Sequence, residues 1–264
     1  MRIVSWNVNG IRAIAKKDFS ESLKKLNADI LCLQETKAEI GQLEPDLHSL
    51  GYPYFHWSSA KRKGYSGVAS FSKFEPQSVK FDFGFPEYQE EGRLVLSDYG
   101  KFELYNFYFP NGGSGEERHH FKQKFLYRLN EYLAQRMKTQ PNLIVVGDYN
   151  VAPNEIDVYD PKRLSSVSGF LPEEREWFQH FFKIGFIDSF RKFHPEARDR
   201  YSWWSYRELA RVRNNGWRID LICVSSKMER FLTGAEIHDE LMGSDHCPIS
   251  IELTEELTKE LNRE

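Results

Sequence analysis

Long apolar stretches are missing from this 264-residue sequence: its longest uninterrupted runs, such as Leu143 to Val146, span four residues. A membrane-crossing helix needs about 20, so no span is expected. Cysteine is scarce as well. Cys32, Cys223 and Cys247 lie far apart in apolar, strand-like segments, which suits buried reduced thiols and argues against a disulfide framework or a zinc site. Nor is there a surplus of positive charge: 36 Lys and Arg stand against 39 Asp and Glu, for a net charge of -3. Any nucleic-acid surface must therefore be local. Nucleotide-binding glycine loops do not occur, and no Gly-x-Ser-x-Gly turn presents a serine nucleophile, which weakens a Ser-His-Asp reading of Ser244 and His246. No linker, low-complexity tract or charge block divides the chain, so one domain over residues 1–264 is expected. Met1 leads almost directly into Ile3-Val4-Ser5-Trp6 without a leader pattern; no targeting signal is read, and a cytoplasmic, prokaryotic setting is expected.

What the chain does have is aromatic residues, 15% of the total, enough for a bulky core, for stacking surfaces, or for both. Short runs rich in Val, Ile and aromatics predict strands over residues 3–8, 30–34, 67–72, 94–97, 102–109, 143–147, 219–224 and 249–253. Asp98-Tyr99-Gly100-Lys101 reads as a hairpin turn. Helices are expected over residues 14–26, 117–137 and 172–182, and a solvated acidic helix over 252–264. The second is marked by Phe121, Phe125, Leu129 and Leu133 on one face. The chain is α/β with antiparallel components.

Polar residues at strand ends carry the chemistry. Asn7 and Asn9 close the first strand on one face. Glu35 ends Leu31-Cys32-Leu33-Gln34, Asp148 and Asn150 end Ile144-Val145-Val146-Gly147, Asp220 interrupts an apolar run, and Ser244-Asp245-His246 precedes the last strand. One such acid is ordinary turn chemistry. Four acids in this position, each costly to bury unpaired, point to a shared cation. Carboxylates, amides and one His suit Mg²⁺ or Mn²⁺ better than zinc. Asp245 and His246 are neighbours, so either the chain bends there or the two have separate roles.

Together these segments resemble the exonuclease III family of apurinic/apyrimidinic endonucleases, within the superfamily of metal-dependent phosphoesterases that includes DNase I. The distinguishing stretches are Ser5-Trp6-Asn7-Val8-Asn9-Gly10-Ile11-Arg12-Ala13, Leu33-Gln34-Glu35-Thr36-Lys37, Gly64-Tyr65-Ser66-Gly67-Val68-Ala69, Tyr108-Phe109-Pro110-Asn111-Gly112 and Gly216-Trp217-Arg218-Ile219-Asp220. The resemblance implies a four-layered α/β sandwich, two packed mixed β-sheets flanked by helices, with the site at one end. It implies Mg²⁺ on Glu35, with Asn7 beside it and Asp245 assisting. It implies Asp148, oriented by Asn150, at the attacking water; His246 paired with Asp220 at the phosphate; and Tyr108 and Asn111 as phosphate contacts. Which of Asp148 and His246 is the base stays open at this point.

The implied substrate is double-stranded DNA with abasic sites or 3′-blocked ends, cut 5′ to the abasic site by a monomer. Trp203, Trp217 and Ile219 match the walls of a pocket for the flipped sugar, and Arg207 matches a position that reaches into DNA. The resemblance also implies Tyr65, near Lys61-Arg62-Lys63, and Lys37 as further DNA contacts. Residues 198–218 hold six Arg against two acids, a local +4 that leaves the rest of the chain at -7, as a phosphate-tracking surface with interleaved aromatics requires. Ser114 stands where some members of the family carry an Arg, so product retention through that contact is not implied. A nonspecific nuclease or other phosphoesterase of the superfamily, and a non-catalytic damage-binding module, are the alternatives.

Overall fold

The computed structural model describes residues 1–261. Twelve strands run through them: Arg2–Asn7 (β1), Ile30–Gln34 (β2), Tyr54–Ser58 (β3), Val68–Ser72 (β4), Ser78–Lys80 (β5), Leu94–Asp98 (β6), Glu103–Tyr108 (β7), Leu143–Asp148 (β8), Phe186–Asp188 (β9), Asp220–Ser225 (β10), Leu232–Ile237 (β11) and Ile249–Leu253 (β12). They form two six-stranded sheets, ordered β11-β12-β1-β2-β4-β3 and β5-β6-β7-β8-β10-β9. Each holds one parallel pair at its centre, β1 with β2 and β7 with β8, and is otherwise antiparallel.

The alternation of strand side chains stacks these sheets face to face. Ile3, Ile30 and Cys32 of the first sheet share one buried cluster with Leu104, Ile144, Val146, Ile222 and Val224 of the second. The alternate residues face outward. Val4, Trp6, Leu31 and Leu33 lie under the helices Ile11–Ile14 and Phe19–Leu26; Val145, Leu221 and Cys223 lie under Glu116–Arg136 and Pro172–Lys183. Helix, sheet, sheet and helix make the four-layered sandwich that the resemblance implies.

Along the inner rows the chemistry changes. Four residues beyond Ile3, Ile30 and Ile144 come Asn7, Gln34 and Asp148, and two before Ile222 comes Asp220, so the same faces turn polar at one end. Just below that end, Gln34 Nε2 donates to Asn106 Oδ1 (2.8 Å), and Asn106 Nδ2 donates to the Ala69 carbonyl (2.9 Å) and Ser70 Oγ (3.1 Å). These buried amides are fully engaged and tie one sheet to the other in a fixed register.

The eight expected strands are present. The expected helix over 14–26 is instead two pieces, because the Gly10 and Ile11 N–H groups bond the Glu35 and Thr36 carbonyls (2.7 and 3.0 Å) and start a turn earlier, at Ile11. The terminal helix starts at Glu255, not Glu252, since Glu252 pairs opposite Arg2 on β12. Leu257 is buried, so this helix docks one face. Residues 262–264 of that expectation lie outside the described residues.

Candidate active site

The polar strand ends converge. Asn7 ends β1 in register with Gln34, Tyr108 ends β7 beside Asp148, and Asp220 opens β10 opposite Asp148. Glu35 follows β2 as Asp148 ends β8, so the two acids occupy matching places in the two central parallel pairs. Sharp reversals follow the strands. Asn9, Glu35, Lys37 and Asn150 have φ of 46°, 49°, 51° and 52°, left-handed conformations that Asn tolerates and that are mildly strained for Glu and Lys.

Asn7 Nδ2 donates to both Glu35 Oε1 (2.8 Å) and Asp148 Oδ2 (2.9 Å), while its oxygen accepts from the Asn9 N–H (3.0 Å). Asp148 also accepts from the Asn150 N–H (2.8 Å), and Asn150 Oδ1 accepts from Asn111 Nδ2 (3.0 Å). His246 Nδ1 donates to Asp220 Oδ2 at 2.8 Å, with Nε2 3.9 Å from Asp148 Oδ2. Lys37 reaches Glu35 Oε2 at 2.7 Å and also contacts Asn9. Asp245 and His246 do have separate partners: Asp245 accepts from Asn9 Nδ2 (2.8 Å) and Trp203 Nε1 (3.1 Å). Ser244 Oγ donates to the Asn7 carbonyl (2.8 Å) and is buried, a structural hydroxyl rather than an exposed nucleophile.

Burial and neighbours set the protonation states. Asp148, 1% exposed, is raised to about 7 by burial and by the charges of Asp220 and Glu35, against the pull of His246. Burial works against the His246 imidazolium, but Asp220, with Asp148 and Asp245, outweighs it and raises this histidine to about 10. Burial would raise Glu35, yet Lys37 and Asn7 hold it below the usual carboxylate range. Burial, with Glu35 and Asp148 nearby, keeps the Tyr108 phenol protonated.

Ligand atoms of Glu35, Asp148 and His246 lie within 4.8 Å of one another. The imidazolium form of His246 has no lone pair to give. Within this trio the donors suited to a hard divalent cation are the carboxylate oxygens of Glu35 and Asp148.

Beside these acids lies an apolar cluster. Paired backbone bonds join Trp203 and Trp217 (2.9 Å each way), placing their rings edge to face at 6.1 Å. Trp217 and Ile219 cluster with Phe170, Val158 and Leu164, and the Trp203 ring lies 6.3 Å from His246. Trp204, by contrast, is core.

The basic segment is less basic on its surface than its count implies. Arg218 is buried on Asp157 (2.7 Å) and Asp188 (2.6 Å), Arg200 bonds the Ile237 carbonyl (2.8 Å), and Arg211 is turned onto backbone carbonyls. Arg198, Arg207 and Arg213 are the exposed three. Sequence reading overlooked Arg93, which is buried, stacks over the Tyr108 ring at 4.9 Å and donates to the Tyr108 carbonyl and the Tyr65 hydroxyl (both 2.9 Å). Arg118 holds the same hydroxyl at 3.1 Å, and Glu91 bridges the two arginines. An arginine directly before the apolar run Leu94-Val95-Leu96 was the available signal.

Two mixed sheets carrying paired carboxylates and an ion-paired histidine at one end define a metal-dependent phosphoesterase. The chain belongs to the Endonuclease/Exonuclease/phosphatase family, whose profile matches residues 4–246. It is 43% identical to an exodeoxyribonuclease of Bacillus subtilis over 95% of this chain and 98% of that one. It is 40% identical to the DNA repair nuclease APEX1 of Danio rerio, over 95% and 81%. Among solved structures, an AP endonuclease from Archaeoglobus fulgidus superposes with a TM-score of 0.83 at 31% identity, covering 96% of this chain and 99% of that one. No helix among the described residues is long and apolar enough to cross a membrane.

Proposed function

We infer that this chain is a DNA-repair nuclease of the exonuclease III type. It hydrolyses the phosphodiester bond 5′ to an abasic site in duplex DNA, leaving a 3′-hydroxyl and a 5′-deoxyribose phosphate. The observation that carries the reading is the apolar cluster of Trp203, Trp217, Ile219 and Phe170 set against His246. A flipped sugar without its base can pack against such a cluster, whereas an intact nucleotide must first give up stacking and then find room for its base. The names of the similar proteins support the class of reaction.

Glu35, with Asn7 beside it and Asp245 assisting, would hold Mg²⁺, or Mn²⁺ in its place, and the ion would neutralise charge developing on the scissile phosphate. The remaining steps belong to side chains. Asp148, positioned by Asn7 and by the Asn111 to Asn150 chain, accepts the proton of the attacking water. His246, kept charged by Asp220, donates to a phosphate oxygen as charge builds up, which leaves the base role to Asp148 in this proposal. The protonated Tyr108 hydroxyl donates alongside it. Asp245 holds Asn9 and Trp203 at the rim. Lys37 would exchange Glu35 for a DNA phosphate, Tyr65 would lie along the backbone, and Arg207 would fill the space left by the flipped nucleotide. The same arrangement at a strand end gives 3′ to 5′ exonuclease and 3′-phosphodiesterase activity. One domain over residues 1–264, acting as a monomer, is part of the proposal; the cluster shared by both sheets supports the first point.

A duplex carrying one tetrahydrofuran abasic analogue tests this reading. Mg²⁺-dependent nicking 5′ to the analogue is expected. No nick with Mg²⁺, or equal nicking in EDTA, overturns it, and undamaged duplex cut equally fast removes the abasic selectivity.

A further inference from the structure

We propose that Arg211 is a positioning residue that locks the exposed loop after Trp203 onto the turn carrying Asp245 and His246, an inference that rests on the reading above. Three backbone carbonyls of that turn accept from its guanidinium: Nη1 donates to Ser244 O (3.2 Å), and Nη2 to Asp239 O (2.9 Å) and Leu241 O (2.8 Å). The same group lies 4.5 Å over the buried Trp204 ring. Trp204 is fastened on both sides: its N–H donates to the Asp245 carbonyl (3.0 Å), and its Nε1 to Asn214 Oδ1 (3.0 Å), at the far side of the loop. Arg211 and Trp204 thus form one plug between the loop and the turn. A planar fork serves several carbonyls at once, where a lysine ammonium acts as a single point.

What the plug joins gives it a purpose. On the loop, Tyr206, Leu209 and Val212 are 67%, 67% and 83% exposed, well placed to meet a duplex. On the turn, Ser244 Oγ bonds the His246 N–H (3.2 Å), and His246 then reaches Asp220. With its donors turned onto carbonyls, Arg211 is poorly placed to bind a phosphate, the role that a basic segment suggests for it. It acts instead through His246, by holding the turn where the imidazolium meets the scissile phosphate.

Arg211→Ala and Arg211→Lys in the full chain test this, each assayed for kcat and KM on abasic duplex and for amide exchange over residues 239–247 without DNA. For Arg211→Ala we expect kcat lower by on the order of tenfold with KM little changed, and exchange in the turn faster by a similar factor. Free guanidinium, well below denaturing concentration, should restore part of the lost rate, while Arg211→Lys should not match wild type. A raised KM with kcat intact would make Arg211 a phosphate contact and overturn the proposal, as would unchanged exchange and kinetics. Should Arg211→Ala not fold, Arg211→Lys carries the same two outcomes. A wild-type protein inert on abasic duplex refutes the functional reading, whereas the exchange measurement still decides whether Arg211 holds the turn.

Discussion

Asp148 stands where it does because the residue before it has no side chain. Gly147 has φ 143°, and a Cβ added there would lie 1.8 Å from the Phe107 carbonyl oxygen and 2.9 Å from its carbon. Both atoms belong to the backbone of β7, the parallel partner, so neither can rotate away. In Gly147→Ala the two strands must part or β8 must twist. Overpacking of this kind costs about 1–3 kcal/mol or more, and an alanine at positive φ adds roughly 1–2 kcal/mol. Taken together this is roughly 4 kcal/mol, or a fall in Tm of roughly 10 °C for a chain of this size. The displaced residue is the neighbour of the clash. Asp148 would lose its alignment with Asn7 and Asn150, and a misplacement of about 1 Å costs on the order of 100-fold in rate. Thermal melts and single-turnover nicking of abasic duplex at a temperature where the variant is folded measure both effects. We expect a large fall in rate with a smaller change in duplex affinity, since Trp203, Arg207 and Tyr65 lie on other segments of the chain. A Tm and nicking rate close to wild type would refute the reasoning, because the structure leaves no room for that methyl group.

Glu35→Ala and Asp148→Asn should each remain folded and lose on the order of 1,000-fold or more in nicking rate; near-normal activity in either removes that residue from the machinery. Arg207→Ala should weaken binding to abasic duplex more than to undamaged duplex in competition titrations, and equal losses would make it a plain phosphate contact. Asp157 gives a prediction in pH. Burial raises its carboxyl, but Arg218 and Arg191 outweigh this and hold it below the ordinary range. Its contribution to stability is therefore complete above the unfolded value of about 4 and is lost as pH falls through the lower folded value. Asp157→Asn should cost about 3–5 kcal/mol at neutral pH, with the gap to wild type in urea midpoint narrowing toward pH 3; a gap independent of pH would count against this network.

The strands legible in the sequence and those that were not divide by position. The eight expected strands are the interior members of the two sheets; the four missed, β3, β5, β9 and β11, are their four edges. An interior strand has neighbours on both sides and is covered on both faces, so it reads as a continuous apolar run, as in Ile30–Gln34 or Leu143–Asp148. An edge strand keeps one side open. Ser78–Lys80 has two exposed residues out of three, and Leu232–Ile237 alternates buried with exposed positions around a shift in register near Gly234. Pairing to a neighbour holds these segments extended, and composition carries little trace of that pairing.

The site divides in the same way, between charge and its direction. Glu35, Asp148 and Asp220 were visible because each ends or interrupts an apolar run, and Asp245 and His246 because they stand just before one; for Asp148 and Asp220 the inner row of side chains carries them to the same end. The arginines gave no such clue. Arg207 and Arg218 look alike in the chain, yet the first is exposed and the second is 1% exposed, because its partners Asp157 and Asp188 arrive from distant segments. Arg93 is hidden for the same reason, tied to Tyr65, Glu91 and Arg118. A guanidinium can be buried only where carboxylates or carbonyls meet its fork, and the contacts that do so here are mostly long-range. A basic stretch therefore reports how much positive charge the chain places near the site. How much of it DNA can reach depends on acids and carbonyls elsewhere in the chain, which turn half of the six arginines in residues 198–218 inward.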